Sequence, residues 1–223
     1  GAHSWPWTLE VGHLPGSEVE VWCVGGRPFD RPGIYADPET GRPFADELER
    51  WVFFCRAALS ALEHRLEGLD VLHLNDHHTA LAGAYVRLPG ESRGWDSTAC
   101  FFSIHNLGYQ GLYEQQSFDS MGLPARFAEP FGPLEYWGRL NVMKMAIVLA
   151  DMVGTVSPTY AQEIQDGEEH GRGLEGVLRA RRGDLVGILN GIDVDAWDPA
   201  RDPHIAAHYD AADLSGTESC KRA

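Results

Sequence analysis

A chain of 223 residues with 43% apolar and 23% charged side chains can bury a substantial core and has the composition of a globular protein. Its 33 acidic against 18 basic residues give a formal charge of −15, which repels phosphate backbones and anionic lipid and argues against nucleic-acid or membrane partners. No stretch approaches the roughly 20 apolar residues of a membrane span, no basic-then-apolar leader is present, and Cys23, Cys55, Cys100 and Cys220 form no CxxC pair, which fits reduced thiols in a cytoplasm.

In chain order, Val19 to Val24 alternates apolar and polar residues before Gly25-Gly26 and predicts a strand with one buried face. Residues 27–43 hold four prolines and read as a loop. Asp46 with Glu49 has the spacing of a capping box. Behind it Leu48, Trp51, Val52, Cys55, Ala58, Leu59, Leu62 and Leu66 recur at helical spacing, and Gly68 gives a stop. A short strand over Leu69 to Leu74 and a helix from Thr79 to Arg87, closed by Pro89-Gly90, come next. Ala99 to Ile104 is a buried-type strand, Arg139 to Ala150 an apolar helix and Met152 to Val156 another strand. Ser157-Pro158 is a helix start, with Ser as cap and Pro in the first turn. A short helix over Leu174 to Arg181 and a strand over Leu185 to Leu189 complete the alternation. Strands alternating with helices predict an α/β fold, a Rossmann-like and mainly parallel sheet with helices on both faces.

Three polar clusters each follow a run of β-formers: Leu74-Asn75-Asp76-His77-His78, Ser103-Ile104-His105-Asn106-Leu107-Gly108-Tyr109-Gln110-Gly111, and Ile188-Leu189-Asn190-Gly191-Ile192-Asp193. Open α/β sheets present ligand-binding groups at the carboxyl ends of their strands, so these clusters are expected to converge on one polyhydroxylated ligand. His105 and Asn106 can hydrogen-bond sugar hydroxyls; a histidine satisfied in the core beside an Asn-shaped turn fits the same spacing. Tyr109 and Gln110 suit an aromatic-plus-amide lining or a plain turn between Gly108 and Gly111. Asp76 lies beside His73, His77 and His78, but His77 and His78 point apart and no fourth ligand follows at metal spacing, so a loop lining a polar cleft fits better than a metal site. Asn190-Gly191 reads equally as a type I′ turn or as part of the site. The glycine-rich run 171–176 follows no clear strand and is a weak dinucleotide fingerprint. No Gly-x-Ser-x-Gly elbow is present.

The segments Ser103 to Gly111, Val156 to Ile164, Gly173 to Arg179 and Gly187 to Asp193, in that order, resemble bacterial glycogen synthases and plant starch synthases. Phe29-Asp30-Arg31-Pro32-Gly33-Ile34-Tyr35 and His73 to Leu81 match the same family, so the resemblance runs from about Val19 to Tyr209. It implies the N-terminal half of a two-Rossmann-domain (GT-B) retaining glycosyltransferase. Such an enzyme moves glucose from ADP-glucose or UDP-glucose to the non-reducing end of an α-1,4-glucan, without a cofactor or catalytic metal. On the resemblance, His105 and Asp76 are catalytic, and Asn106, Tyr109, Gln110, Asn190 and His77 bind substrate.

The departures shape further expectations. The family has Trp after the Asp, where this chain has His77, and its Lys-x-Gly-Gly loop is missing, since Gly25-Gly26 carries no lysine. The resemblance therefore implies an acceptor-side domain over 1–210 lacking its first strand, the start of an interdomain connection over 211–223, and an absent second Rossmann domain as partner. The isolated chain is then expected to be inactive, and prone to self-association through an unpaired sheet edge. A non-catalytic glucan-binding or scaffold protein is the alternative; a related glycosyltransferase acting on another sugar is the third. The expected setting is the cytoplasm, or a plastid in a plant or alga.

Overall fold

The structure, a computed structural model, describes residues 5–88, 95 and 97–223, so the expected stop at Pro89-Gly90 lies outside the described residues. The chain divides into two compact units, Gly1–Ile188 and Leu189–Ala223. The first opens with an antiparallel ribbon of β1 (Trp7–His13) and β2 (Glu20–Gly26), paired from Trp7 with Gly26 to His13 with Glu20. The expected strand at Val19 to Val24 is thus real but shifted, and its partner was not foreseen.

The helix α1 (Glu47–Arg65) buries Leu48, Trp51, Cys55 and Leu59, the face its periodicity marks. Its capping box does not form. The Asp46 carboxylate is held by both guanidinium nitrogens of Arg31, at 2.6 and 2.5 Å, and makes no cap bond to the helix. A charged fork matches a carboxylate better than a single amide does.

The central sheet is parallel, in the order β3 (Val71–Asn75), β4 (Ala99–Ile104), β8 (Met152–Thr155) and β9 (Leu185–Gly187). Between these strands run α2 (Asp76–Val86), a three-stranded antiparallel sheet, α4 (Val142–Leu149), and the short helices α5 (Pro158–Glu163), α6 (Glu168–Gly171) and α7 (Glu175–Ala180). The antiparallel sheet has the order β5 (Leu112–Glu114), β7 (Arg139–Asn141), β6 (Glu135–Tyr136), with the four-residue α3 (Phe118–Met121) inside its long connection.

The register places Leu74, Phe102 and Val153 in one row, all buried, under α2 and α4, which pack on each other. Gly83 lets α2 approach β3 closely: a Cβ there would stand 2.6 Å from Leu74 Cδ1. The adjacent row, His73, Phe101 and Met152, points to the other face, where Met152 stays 46% exposed. The expected mainly parallel α/β sheet is present, with α2 and α4 gathered on one of its faces.

The apolar helix expected from Arg139 starts three residues late. Leu140 pairs with both Tyr113 and Glu135 as a strand, and the Asn141 side chain caps α4 by accepting the Lys144 N–H at 2.8 Å. The far end of α4 is closed by Arg181, whose guanidinium donates to the carbonyls of Ile147, Val148, Ala150 and Asp151. Ser157 caps α5 as its position ahead of Pro158 implies, accepting from the Tyr160 N–H at 3.0 Å. All four cysteines are free, Cys55 and Cys100 buried; burial pushes the Cys55 thiol up to about 12. No described helix is long and apolar enough to cross a membrane.

Candidate active site at the carboxyl ends of two strands

The parallel sheet ends in two adjacent polar turns, one after β3 and one after β4. Asp76 follows β3 directly and takes a left-handed backbone, φ +54°, a region that Asp enters more readily than most non-glycine residues. That turn aims its carboxylate across to the neighbouring strand end. Asp76 Oδ1 accepts the backbone N–H of His105 at 2.9 Å and of Asn106 at 3.2 Å. The His105 ring returns the link, with Nε2 2.9 Å from Asn75 Oδ1. An imidazole and a carboxylate are thereby fixed side by side at one sheet end, and the His105 ring remains exposed.

The other predicted residues divide into groups left open and groups used by the scaffold. Tyr109 is 68% exposed, so its phenol is available while its carbonyl accepts from His77 Nδ1 at 2.9 Å. Asn106, an exposed residue, folds its Oδ1 back onto the Gly108 N–H at 2.9 Å in an Asx turn. Gln110 is buried: its amide donates to the carbonyls of Leu107 and Arg172 and accepts from Asn141 Nδ2 at 2.7 Å. The glycine-rich run contributes that Arg172 carbonyl, from a left-handed residue that ends α6, so its role here is to close over Gln110. Asn190 belongs to the second unit, Leu189–Ala223, whereas every group described at this end lies in the first.

His77 is buried beside Asp76. Its Nε2 faces Glu47 Oε1 at 3.9 Å, an ion-pair separation rather than a hydrogen bond, and the imidazole holds the Glu47 carboxyl below its ordinary value. Gly111, at φ +64°, lets the chain pass close over this ring, since a Cβ there would lie 2.9 Å from His77 Cδ2. The His78 ring stacks on His77 at 3.8 Å and meets the Trp51 ring edge-on at 4.6 Å. Burial, then the neighbouring His77, lowers His78 to about 4, so it is neutral at physiological pH. His73 bonds Ser103 Oγ at 2.7 Å on the open sheet face and is lowered by burial and by His105. These four histidines therefore do different work. Among the described residues no group of three or more His, Cys, Asp or Glu is arranged to hold a metal.

Sequence reasoning placed Asn75 in the first polar cluster without assigning it a role, and missed Glu47 altogether. Asn75 carried a signal, since it shares a strand face with His73 next to Asp76; Glu47 sits inside the helix start and carried none.

Comparison with known proteins bears on this arrangement. Residues 2–180 match the family described as the starch synthase catalytic domain. The chain is 42% identical over 199 residues to a glycogen synthase of Thermotoga maritima, covering 88% of this chain and 39% of that protein. It is 43% identical over 207 residues to glycogen synthase 2 of Geobacter sulfurreducens, covering 92% of this chain and 42% of the relative. The solved catalytic domain of starch synthase IV from Arabidopsis thaliana, bound to ADP and acarbose, superposes with a TM-score of 0.76 at 32% identity, over 96% of this chain and 43% of that one. The chain thus spans less than half the length of these relatives.

Proposed function

Because this chain belongs to the starch synthase catalytic-domain family, we propose that it forms the acceptor-side part of a retaining glucosyltransferase of glycogen or starch synthesis. The donor is a nucleotide sugar, ADP-glucose in the first instance, the acceptor is the non-reducing end of an α-1,4-glucan, and the remaining machinery lies in sequence outside these residues. No cofactor enters this reading. The four free thiols support a reducing cytoplasm as the setting.

The observation that carries the reading is the Asp76 bridge. One carboxylate oxygen holds the backbone at His105 and Asn106, and Asn75 fixes the imidazole. With its Nε2–H given to Asn75 Oδ1, the imidazole presents Nδ1 as an acceptor for a hydroxyl of the transferred glucose, the kind of preorganisation that orientation and charge stabilisation demand. Tyr109 then lines the opening, and Asn106 offers its amide nitrogen. His77 and Gln110 act one step back, by holding the Tyr109 carbonyl and the loop beneath it.

Transfer of labelled glucose to maltooligosaccharide by a complete enzyme that contains this chain tests the proposal. His105→Ala should lower kcat about 100-fold or more while the thermal midpoint stays put, the scale seen when one positioned hydrogen-bonding group is removed from a transition state. Near-normal turnover in that variant removes His105 from the reaction.

A further inference from the structure

His77 is buried between two groups that accept hydrogen bonds and have none to give. Its Nδ1 lies 2.9 Å from the Tyr109 carbonyl, and its Nε2 faces Glu47 Oε1 at 3.9 Å. A ring with one proton satisfies one of these neighbours and turns a bare lone pair toward the other. A ring with a proton on each nitrogen suits both. Glu47 supplies the opposite charge that this form calls for, and its own carboxyl stands below its ordinary value, with His77 the largest cause.

The other groups around the ring do different work. His78, stacked on it from the next position of α2, is lowered to about 4 by burial and then by His77 itself, and is neutral. Asp76, the preceding residue, accepts the amides of His105 and Asn106 on its Oδ1. From α1, Arg50 donates to the Ile34 carbonyl and lies over the Trp51 ring at 4.4 Å. From β5, the Tyr113 phenol is raised by burial, then by Glu47 and Glu49, and keeps its proton. The loop above the ring is anchored on both sides of Tyr109. His105 and Asn106 hang on Asp76, and the Gln110 and Gly111 carbonyls accept the Met143 and Val142 N–H groups at 3.0 and 3.1 Å. Between these anchors the Tyr109 carbonyl rests on His77, and the Tyr109 ring stands exposed at the opening.

We infer that Glu47 is a positioning residue for glucosyl transfer: its charge holds the His77 imidazole doubly protonated, and that ring fixes Tyr109 where the incoming glucan is received. The inference rests on the glucan-synthase reading and deepens it with a residue that touches no substrate. A carboxylate in the first turn of a helix is also favoured by the helix dipole. That role alone affects stability and leaves the sugar kinetics as they are, so the two roles separate in KM.

The test measures transfer of labelled glucose to maltoheptaose by a complete enzyme that contains this chain, and compares Glu47→Ala, His77→Phe and the double variant. Glu47→Ala should raise KM for maltoheptaose about threefold with a smaller change in kcat, since His105 is held by Asp76 and Asn75. His77→Phe should raise KM further, and the double variant no further than His77→Phe, because Glu47 acts through the ring. A double variant whose effect is the product of the singles overturns the inference. So does an unchanged KM in Glu47→Ala, which, with a lowered thermal midpoint, would leave Glu47 to the helix dipole. Nitrogen-15 spectra of the His77 ring in the same enzyme give a reading independent of turnover. The ratio of doubly to singly protonated ring should fall about threefold in Glu47→Ala at a fixed pH near the ordinary histidine value of about 6.5. An equal ratio overturns the inference even in an enzyme that moves no glucose, whereas absence of transfer in the parent strikes the glucan-synthase reading itself.

Discussion

The first unit and the second are held by different forces. Up to Ile188 the chain is organised around residues such as Phe102, Ile104, Met143 and Ile147, each removed from water by helices and strands distant in sequence. From Leu189 onward the organisation is local and polar. Asp193 accepts the N–H groups of Asp195 and Ala196, and Asp198 that of Ala200. Asp202 takes His204, Asp210 takes Ala212 and Asp213, and Asp213 takes Ser215. Each carboxylate shapes the turn it sits in. The difference teaches that the acidity of this chain is partly structural: at least five aspartates of the second unit do turn-forming work that apolar burial does in the first.

That contrast can be broken at three points. The largest effect is expected from Phe102→Ala, which empties a fully buried site on the central strand and should cost about 3–5 kcal/mol in urea unfolding. A loss under about 1 kcal/mol would mean that the sheet is not the cooperative centre of the first unit. A smaller, pH-dependent effect belongs to His78. Its folded value near 4 lies below the ordinary 6.5, so the folded state disfavours its protonation. The stability it contributes is complete above 6.5 and is lost as pH falls toward 4. Glu47 and Asp46, also held low, should add to the loss only further down, below their ordinary carboxylate values. Thermal midpoints measured across that window should fall in the parent and fall less in His78→Phe; parallel curves would remove His78 as the cause. The smallest effect sharpens the comparison from the other side. Asp213→Ala should leave the urea midpoint unchanged and speed amide exchange at Ser215, whose N–H it holds at 2.9 Å. The Asp213 carboxyl is held low by that bond, so its turn should persist above pH 3.8 and loosen as acid protonates it. A cooperative loss of the first unit in Asp213→Ala would show that the two regions do not answer to separate forces.

Much of the fold was legible because its signals are local. Ala99 to Ile104 is a strand of the predicted length, the α1 face follows its helical spacing, and Ser157-Pro158 starts a helix. The errors fall where a distant partner intervened. Arg31 took the Asp46 carboxylate from the helix it was expected to cap, and Tyr113 and Glu135 drew Leu140 out of a helix into a strand. At the site, spacing alone placed Asp76 and His105 after neighbouring strands. It could not show that Gln110 would be buried beneath the opening, or that Asn75 would hold the imidazole.

The residues themselves determined where strands end and which polar groups stand at those ends, since β-formers, caps and turn residues act within a few positions of one another. Only the tertiary structure decided what those groups bind. The Asp76 oxygen meets amides 29 and 30 residues away, and Gln110 meets Asn141 across 31. Such bonds depend on how two strands are registered side by side, and registration is fixed by the packing of the whole sheet against α2 and α4 rather than by any one stretch of chain.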